Sequence, residues 1–590
     1  QHGGLAHGSM SQGGLAHGSM AHGSMAHGSL TEDGMAHDSL TEDGMAHGSL
    51  ANGGMPHVGH GGMDHSQHAG HQMVTTPEGE AVMVMAGIPP WLFLLGTAAI
   101  IVLSFVVVER VGSFLPVGGD WRVNLIKNRT VYKIVRRRWF QAVPQLLMVG
   151  VLLFLIYAGL FGNRIGNITP VAVWTVWWAG LIFAVALMGP VFCFACPWDG
   201  LANLASRLRL AARVRTLSLA LPVPRWMRNM YPALGLFVLL TWAELGLGVT
   251  TDPRGTAYMG LGMVALAVIC ALLFGKKAFC AYLCPVGRIS GIYANFSPVE
   301  VRARNPRACR SCTTEDCLNG NELGYPCPTG ISLKVVQNNT MCTLCSECVK
   351  SCHRHNVALN LRPFATDLVR NIRVRADEAW MCVTLLALTL FHGFSMTTSW
   401  EDHTPGAGSL LKWMAVTLGT PQVVNFTLGM FLSVAVPVAM YYASCEIAAR
   451  WVHRTRVTAW QLFATYSYSL LPVALFYHLA HNAMHMFMEG GALVPLLSDP
   501  LATGADYFGT KQLHVGHLLE DRALWFIQVG LILVGHVVGV VVAHRLSRQL
   551  FSRSRDATKS LLPMLVMMVL ISVAGLSLMV LDMNMRIGRM

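Results

Sequence analysis

Charge is what this 590-residue sequence has least of: Asp, Glu, Lys and Arg make up 13% of it, against 53% hydrophobic residues. A soluble chain of that length divides among several cores and covers each with charge, so the deficit excludes an ordinary soluble enzyme. Residues 1–87 contain no Lys and no Arg, which makes that segment easy to export. There is no G-x4-G-K-[ST] loop, no C-P-C inside an apolar run and no large ATPase-like stretch. Those absences weigh against an ATP-driven metal pump. No cleavable signal peptide is visible and position 1 is Gln. The expectation is therefore that a segment is removed or that the first apolar run directs export.

Long apolar runs are plentiful. Ten approach or exceed the ~20 residues that cross a ~30 Å hydrocarbon core: Ile88–Val108, Val143–Phe161, Ala172–Phe192, Tyr231–Val249, Tyr258–Gly275, Ala379–Thr398, Val423–Tyr442, Leu462–Met488, Ala523–Ala543 and Leu561–Leu581. Backbone groups in lipid must be satisfied internally, so these runs predict helices. Threading ten spans alternately leaves most of the 43 basic residues on one side, in VYKIVRRRW, RLRLAARVR, RWVHRTR and RLSRQLFSRSR. The positive-inside rule then predicts both termini outside a bacterial-type cytoplasmic membrane and the Cys-rich segment inside. The net charge of +12 is topology signal at a lipid surface and calls for no nucleic acid.

The expected organisation has four parts: a tail at 1–87, a five-helix block at 88–275, a cytoplasmic two-cluster ferredoxin-like domain at 276–378 and a second five-helix block at 379–590. The fold class is mainly α. The tail repeats LAHGSM, AHGSM, GMAHDSL and GMAHGSL and holds twelve His and ten Met. It has too little apolar surface to offset chain entropy, so it is predicted disordered until metal arrives. Thioether favours Cu(I) and imidazole accepts either copper state. His7, His17, His22, His27, His37 and His47, with Met10, Met20, Met25, Met35 and Met45, are candidate ligands of many weak copper sites.

Twelve of the 15 cysteines fall in three clusters, which in a reducing compartment reads as metal or redox ligation. Cys309-x2-Cys312-x4-Cys317-x9-Cys327-Pro328 precedes Cys342-x2-Cys345-x2-Cys348-x3-Cys352. Three close thiolates bind one cubane, and a remote fourth crosses to the other cluster. One 4Fe-4S cluster is thus predicted on Cys309, Cys312, Cys317 and Cys352, the other on Cys342, Cys345, Cys348 and Cys327. Four-cysteine zinc sites also use C-x2-C, but the second run keeps ferredoxin spacing. Cys193-x2-Cys196-Pro197 and Cys280-x3-Cys284-Pro285 sit where spans leave the membrane and are candidates for a third metal centre or a dithiol relay. Cys270, Cys382 and Cys445 read as small buried hydrophobes.

At FCAYLCPVGRISG, the C-P motifs and the paired cysteine runs, over about 143–363, the chain resembles the membrane polyferredoxins. These serve periplasmic nitrate reductase, nitrous-oxide reductase maturation or cupric reduction. It departs from them at Cys193, where the gap is two rather than three. The resemblance implies cluster ligation by the eight cysteines, functional roles for Cys193, Cys196, Cys280 and Cys284, and electron movement between a quinol pool or cytoplasmic donor and an outer redox partner.

Ionisable side chains in spans usually face a cavity or cofactor. His478, His481 and His485 in LLPVALFYHLAHNAMHMFMEGG, with His392 and His536 in neighbouring spans, are candidates for haem b ligation. Copper, using nearby Met484, Met486 or Met488, or structural or quinone-contacting roles are the other readings. His514 and His517 in QLHVGHLLED read as solvated loop residues, with addition to an outer metal site as the other reading. The expected function is electron transfer from the clusters through the membrane to an outer acceptor, Cu(II) or a copper enzyme. One alternative is quinol oxidation with delivery to a partner; another, of a different class, is a metal transporter or sensor with regulatory clusters.

Overall fold

The computed structural model describes residues 71–75, 81–111, 118–206, 217–274, 277–370, 374–401, 408–453, 455–513 and 515–585. The candidate tail ligands from His7 to Met45, and His514, lie outside these residues.

The described chain is mainly helical. Strands β1 (His71–Thr75) and β2 (Ala81–Met85) precede helix α1 (Pro90–Val106), strand β3 (Val123–Asn124) and helices α2 (Arg138–Phe161) and α3 (Ile168–Met188). Helices α4 (Pro197–Ser206), α5 (Tyr231–Gly246), α6 (Pro253–Leu273) and α7 (Pro285–Tyr293) follow, then strands β4 (Val299–Ala303) and β5 (Val357–Leu361). Helices α8 (Ala376–Ser395), α9 (Gln422–Trp451), α10 (Ala459–Met484), α11 (Asp521–Leu550) and α12 (Ser554–Leu578) and strand β6 (Met583–Met585) complete the order.

Among the described residues, eight helices are long and apolar enough to cross a membrane: α1, α2, α3, α6, α8, α9, α11 and α12. That is the composition of a multi-pass membrane protein. The other two predicted spans differ for separate reasons. Helix α5 is apolar but has 16 residues, about 24 Å at ~1.5 Å per residue. Helix α10 has 26 residues, but Tyr, Ser and His side chains dilute its hydropathy. It is buried nearly throughout, packed against α3, α8, α9 and α11, so those side chains meet protein rather than lipid. Close packing there depends on small residues. A Cβ at Gly535 would lie 2.5 Å from the Phe476 Cβ, and one at Gly539 2.9 Å from the Ser469 carbonyl oxygen.

The predicted absence of structure over 1–87 fails at its end, because β1 and β2 form a hairpin that pairs antiparallel with β6. Ile88 N–H donates to the Met579 carbonyl at 2.7 Å, and a Cβ at Gly87 would lie 2.2 Å from the Val580 oxygen. The start of α1 and the end of α12 therefore lie on one face of the bundle.

A second sheet, in the order β3-β5-β4, anchors the cysteine-bearing region. Its strand β3 comes from outside the predicted 276–378 boundaries. The fully buried Arg362 pairs with Glu300 at 2.9 Å and with Asp367. Arg122 and Arg302 close on the same carboxylates, so each buried charge has a partner, as burial demands.

Candidate iron–sulfur centres

Eight cysteines gather at two small cavities. Cys309, Cys312, Cys317 and Cys352 line one, with Ser332, Lys334 and Arg354. Cys327, Cys342, Cys345 and Cys348 line the other. Leu333 borders both. Short helices carry Cys309, Cys317 and Cys348, and the first is capped by the Asn305 side chain accepting from Arg307 N–H at 2.9 Å. Glu315, Leu344 and Ser346 take left-handed backbone at φ 47°, 49° and 60°, a cost of order 1–3 kcal/mol each that concentrates at functional loops.

Amide groups reach the sulfurs. Asn356 donates its N–H to Cys352 Sγ at 3.4 Å and its side-chain amide to Cys309 Sγ at 3.2 Å, while Ile331 N–H lies 3.4 Å from Cys327 Sγ. Such bonds tune cluster potentials. Burial, with Glu347 beside it, pushes the Cys345 thiol up to about 12. Burial also raises Cys312, but N–H bonds from Glu315 and Thr314 and the Thr314 hydroxyl outweigh it and bring that thiol below its usual value. A bound metal would supply the positive charge that keeps buried sulfurs as thiolates. Among the described residues no three His, Cys, Asp or Glu side chains close around a single-ion position. Thiols set around a cavity suit a cubane better than one zinc ion at ~2.3 Å from each sulfur.

The C-P motifs form a third set. Cys193 lies in the turn after α3, Cys280 in the turn before α7, and Cys196 and Cys284 immediately precede α4 and α7. Pro at the first helical position suits both starts, and Gly287 N–H donates to Cys284 Sγ at 3.3 Å. The two-residue gap at Cys193 does not keep it from the set. Burial raises all four thiols, Cys284 bears on Cys193, Cys196 and Cys280, and Cys196 bears on Cys280. Asp199 pairs with Lys277 at 2.8 Å and lies 3.9 Å from Cys280 Sγ. Cys345 of the second cavity bears on both Cys193 and Lys277. Cys270, Cys382 and Cys445 are buried elsewhere.

The structure divides the candidate histidines. His392 of α8 and His481 of α10 stand with ring centres 4.8 Å apart, and His481 and His485 5.0 Å apart. Glu244 of α5 lies 3.7 Å from His392, and Glu489 lies 3.1 Å from His485. His485 Nε2 is buried without a hydrogen-bond partner. Two imidazoles on one iron at ~2 Å per bond need wider ring separation with a porphyrin between them, so the His392–His481 pair does not fit haem. His478 turns instead to the Tyr293 hydroxyl at 3.3 Å. His536 bonds the Ser104 and Ser572 hydroxyls, each at 2.8 Å; both ring nitrogens are engaged, and it joins no site. His517 pairs with Asp521 at 3.3 Å. Sequence reasoning missed Glu244, Glu489 and Arg288, although an acid inside an apolar run, as in TWAELG, is the signal that would have found the first.

An apolar cavity of about 410 Å³ runs from Phe192, Pro197, Trp198 and Pro285, beside the C-P thiols, past Trp177 to Glu244.

The family described as a 4Fe-4S binding domain matches residues 171–214 and 256–301. YccM of Escherichia coli (strain K12), a protein named for electron transport, is 31% identical over 144 residues, 23% of this chain and 37% of its own. The methylamine utilization ferredoxin-type protein MauN of Paracoccus denitrificans is 30% identical over 137 residues, 22% of this chain and 48% of its own. Over these segments the chain is similar to ferredoxin-type electron-transport proteins. An uncharacterized protein of Methanocaldococcus jannaschii is 27% identical over 173 residues, 28% of this chain and 63% of its own. The chain thus spans less than two thirds of each of these relatives. No solved structure matches it. The two family segments contain Cys193, Cys196, Cys280 and Cys284 and none of the cysteines from 309 to 352.

Proposed function

We propose that this chain is a membrane-bound iron–sulfur electron-transfer protein. Two 4Fe-4S clusters are held by the eight cysteines of the two small cavities, and a third metal centre by Cys193, Cys196, Cys280 and Cys284. Bound clusters supply one-electron redox chemistry; the chain supplies thiolates, amide bonds to sulfur and a fixed order. One observation carries the reading: the eight cysteines of the two runs line two cavities that share Leu333, and the thiols of the C-P motifs form a further set within electrostatic reach of Cys345.

The cysteine face is cytoplasmic, following the basic residues, and both termini lie outside. With α1 beginning and α12 ending on one face, the number of crossings is even, a condition that ten crossings meet when α5 and α10 both span alongside the eight longer helices. Electrons enter from a soluble donor and leave through the half of the bundle that holds His392, His481 and His485. The outer acceptor is copper, as Cu(II) or within a copper enzyme, in keeping with the Met/His tail and with imidazole chemistry. A second reading has the apolar cavity behind it: a quinone ring would fit beside Pro197 and Pro285, and quinol would then be the donor.

Reconstituted vesicles test this. A reductant confined to the cysteine face should reduce Cu(II) on the opposite face, and Cys345→Ser should abolish it. Cluster reduction by quinol alone would favour the second reading; no acid-labile sulfide in the purified chain would end both.

A further inference from the structure

Arg288 is fully buried, on α7, one turn beyond Cys284. Its Nη1 meets only the Met341 thioether, at 2.7 Å, and its Nε and Nη2 have no hydrogen-bond partner. No ion pair involving Arg288 is present among the described residues. The groups that bear on it most are Cys193, then Cys284 and Cys280, with Glu378 last. Glu378 is engaged elsewhere, by the Tyr468 hydroxyl at 2.6 Å and by Arg375 at 3.6 Å.

A guanidinium stays charged in a protein, and a buried charge without a counter-charge is strongly unfavourable. A thioether is too weak an acceptor to offset that. Four neutral thiols offer no counter-charge, and four bare thiolates would repel one another. A cluster resolves both problems. Its four thiolates outweigh the positive iron–sulfide core, so the assembled group is an anion with sulfur acceptors facing the guanidinium.

We propose that Arg288 is the counter-cation of the centre held by Cys193, Cys196, Cys280 and Cys284 and sets its reduction potential. This rests on reading the C-P thiols as a third centre. Adding an electron to an anion is easier beside a fixed positive charge, so Arg288 raises the potential of this step. Arg288 also bears on Cys342, and Met341 precedes that ligand, so the same charge acts more weakly on the second cluster.

The test uses the whole purified chain with Arg288→Gln and Arg288→Lys, read by iron and sulfide content and by EPR-monitored redox titration. With Arg288→Gln, reduction of one centre should become at least about tenfold less favourable, a downward shift of about 59 mV for a one-electron couple. Arg288→Lys should stay close to native. If Arg288→Gln loses one centre's iron while Arg288→Lys keeps it, the charge requirement is also met. Met341→Leu, which removes the thioether and keeps the charge, should leave the titration in place. Native titration of Arg288→Gln, or equal loss of iron in both variants, overturns the proposal. The underlying reading fails separately if Cys193→Ser and Cys284→Ser leave the iron content of the native chain unchanged.

Discussion

The cysteine face and the histidine cluster gather reactive side chains in opposite ways. Around each of the two small cavities three of the four ligands sit a few residues apart and one comes from the other run, and left-handed turns at Glu315, Leu344 and Ser346 bend the chain about them. The histidine cluster draws on α5, α8, α10 and the turn after α10, which meet only because the helices pack. A local site depends on its own loop; a packed site depends on the whole bundle. Cys345→Ser should break the first kind, removing about one cluster's iron and sulfide while the far histidines stay in place, by metal analysis and EPR. His481→Ala should break the second. Iron and sulfide should be unchanged, while Cu(II) reduction across reconstituted vesicles slows by at least about tenfold.

Stability divides along the same line. In the cysteine region the buried guanidinium of Arg362 holds Glu300 and Asp367. Arg362→Leu takes from two buried carboxylates their one fully buried partner, leaving them to Arg122 and Arg302, and should cost up to about 3–5 kcal/mol, seen as a lower thermal midpoint and early loss of the two-cavity clusters. A milder version needs no mutation. Burial alone raises the Glu300 carboxyl, but Arg302 and Arg362, with hydrogen bonds from Asn360 and Arg122, bring it below its ordinary value. Its folded pKa is thus below its unfolded one, near ~4.3. The stabilisation is complete above that unfolded value and disappears as pH falls through the lower folded one. Thermal midpoints should be flat above about pH 5 and drop below about pH 4, and Glu300→Gln should flatten that drop.

Legibility followed the same division. The cysteine sets could be read from spacing because a ferredoxin-type run places its ligands by local chain geometry, and the structure brings Cys309 and Cys352, or Cys327 and Cys345, to one cavity each. Most apolar runs appear as helices because hydropathy alone decides that in lipid. Helix α10 was legible as a helix but not as the buried one, since its partners are remote in sequence. Glu244 could not be paired with His392 from sequence, because helix rotation decides which faces meet; Glu489, four residues after His485 on the same turn, was readable from spacing and was overlooked. Arg288 was hidden differently: in CPVGRIS it looks like one more cytoplasmic basic residue, and only burial distinguishes it. Strand β3 was missed because two residues carry no periodicity.

His536 sharpens the contrast with the smallest effect. It lies on a long apolar helix and is buried, as His481 is on α10, yet both its nitrogens are taken by hydroxyls on α1 and α12. Its work is to hold three helices together. In His536→Leu the Ser104 hydroxyl keeps its bond to the Ile100 carbonyl at 2.7 Å, while Ser572 loses its ring partner. One buried hydroxyl left unsatisfied costs about 1–3 kcal/mol, so the thermal midpoint should fall modestly. Iron, sulfide, copper binding and Cu(II) reduction across vesicles should all match the native chain. Loss of Cu(II) reduction in His536→Leu with the helices still folded would mean that burial and saturated hydrogen bonds do not separate structural from redox histidines in this bundle.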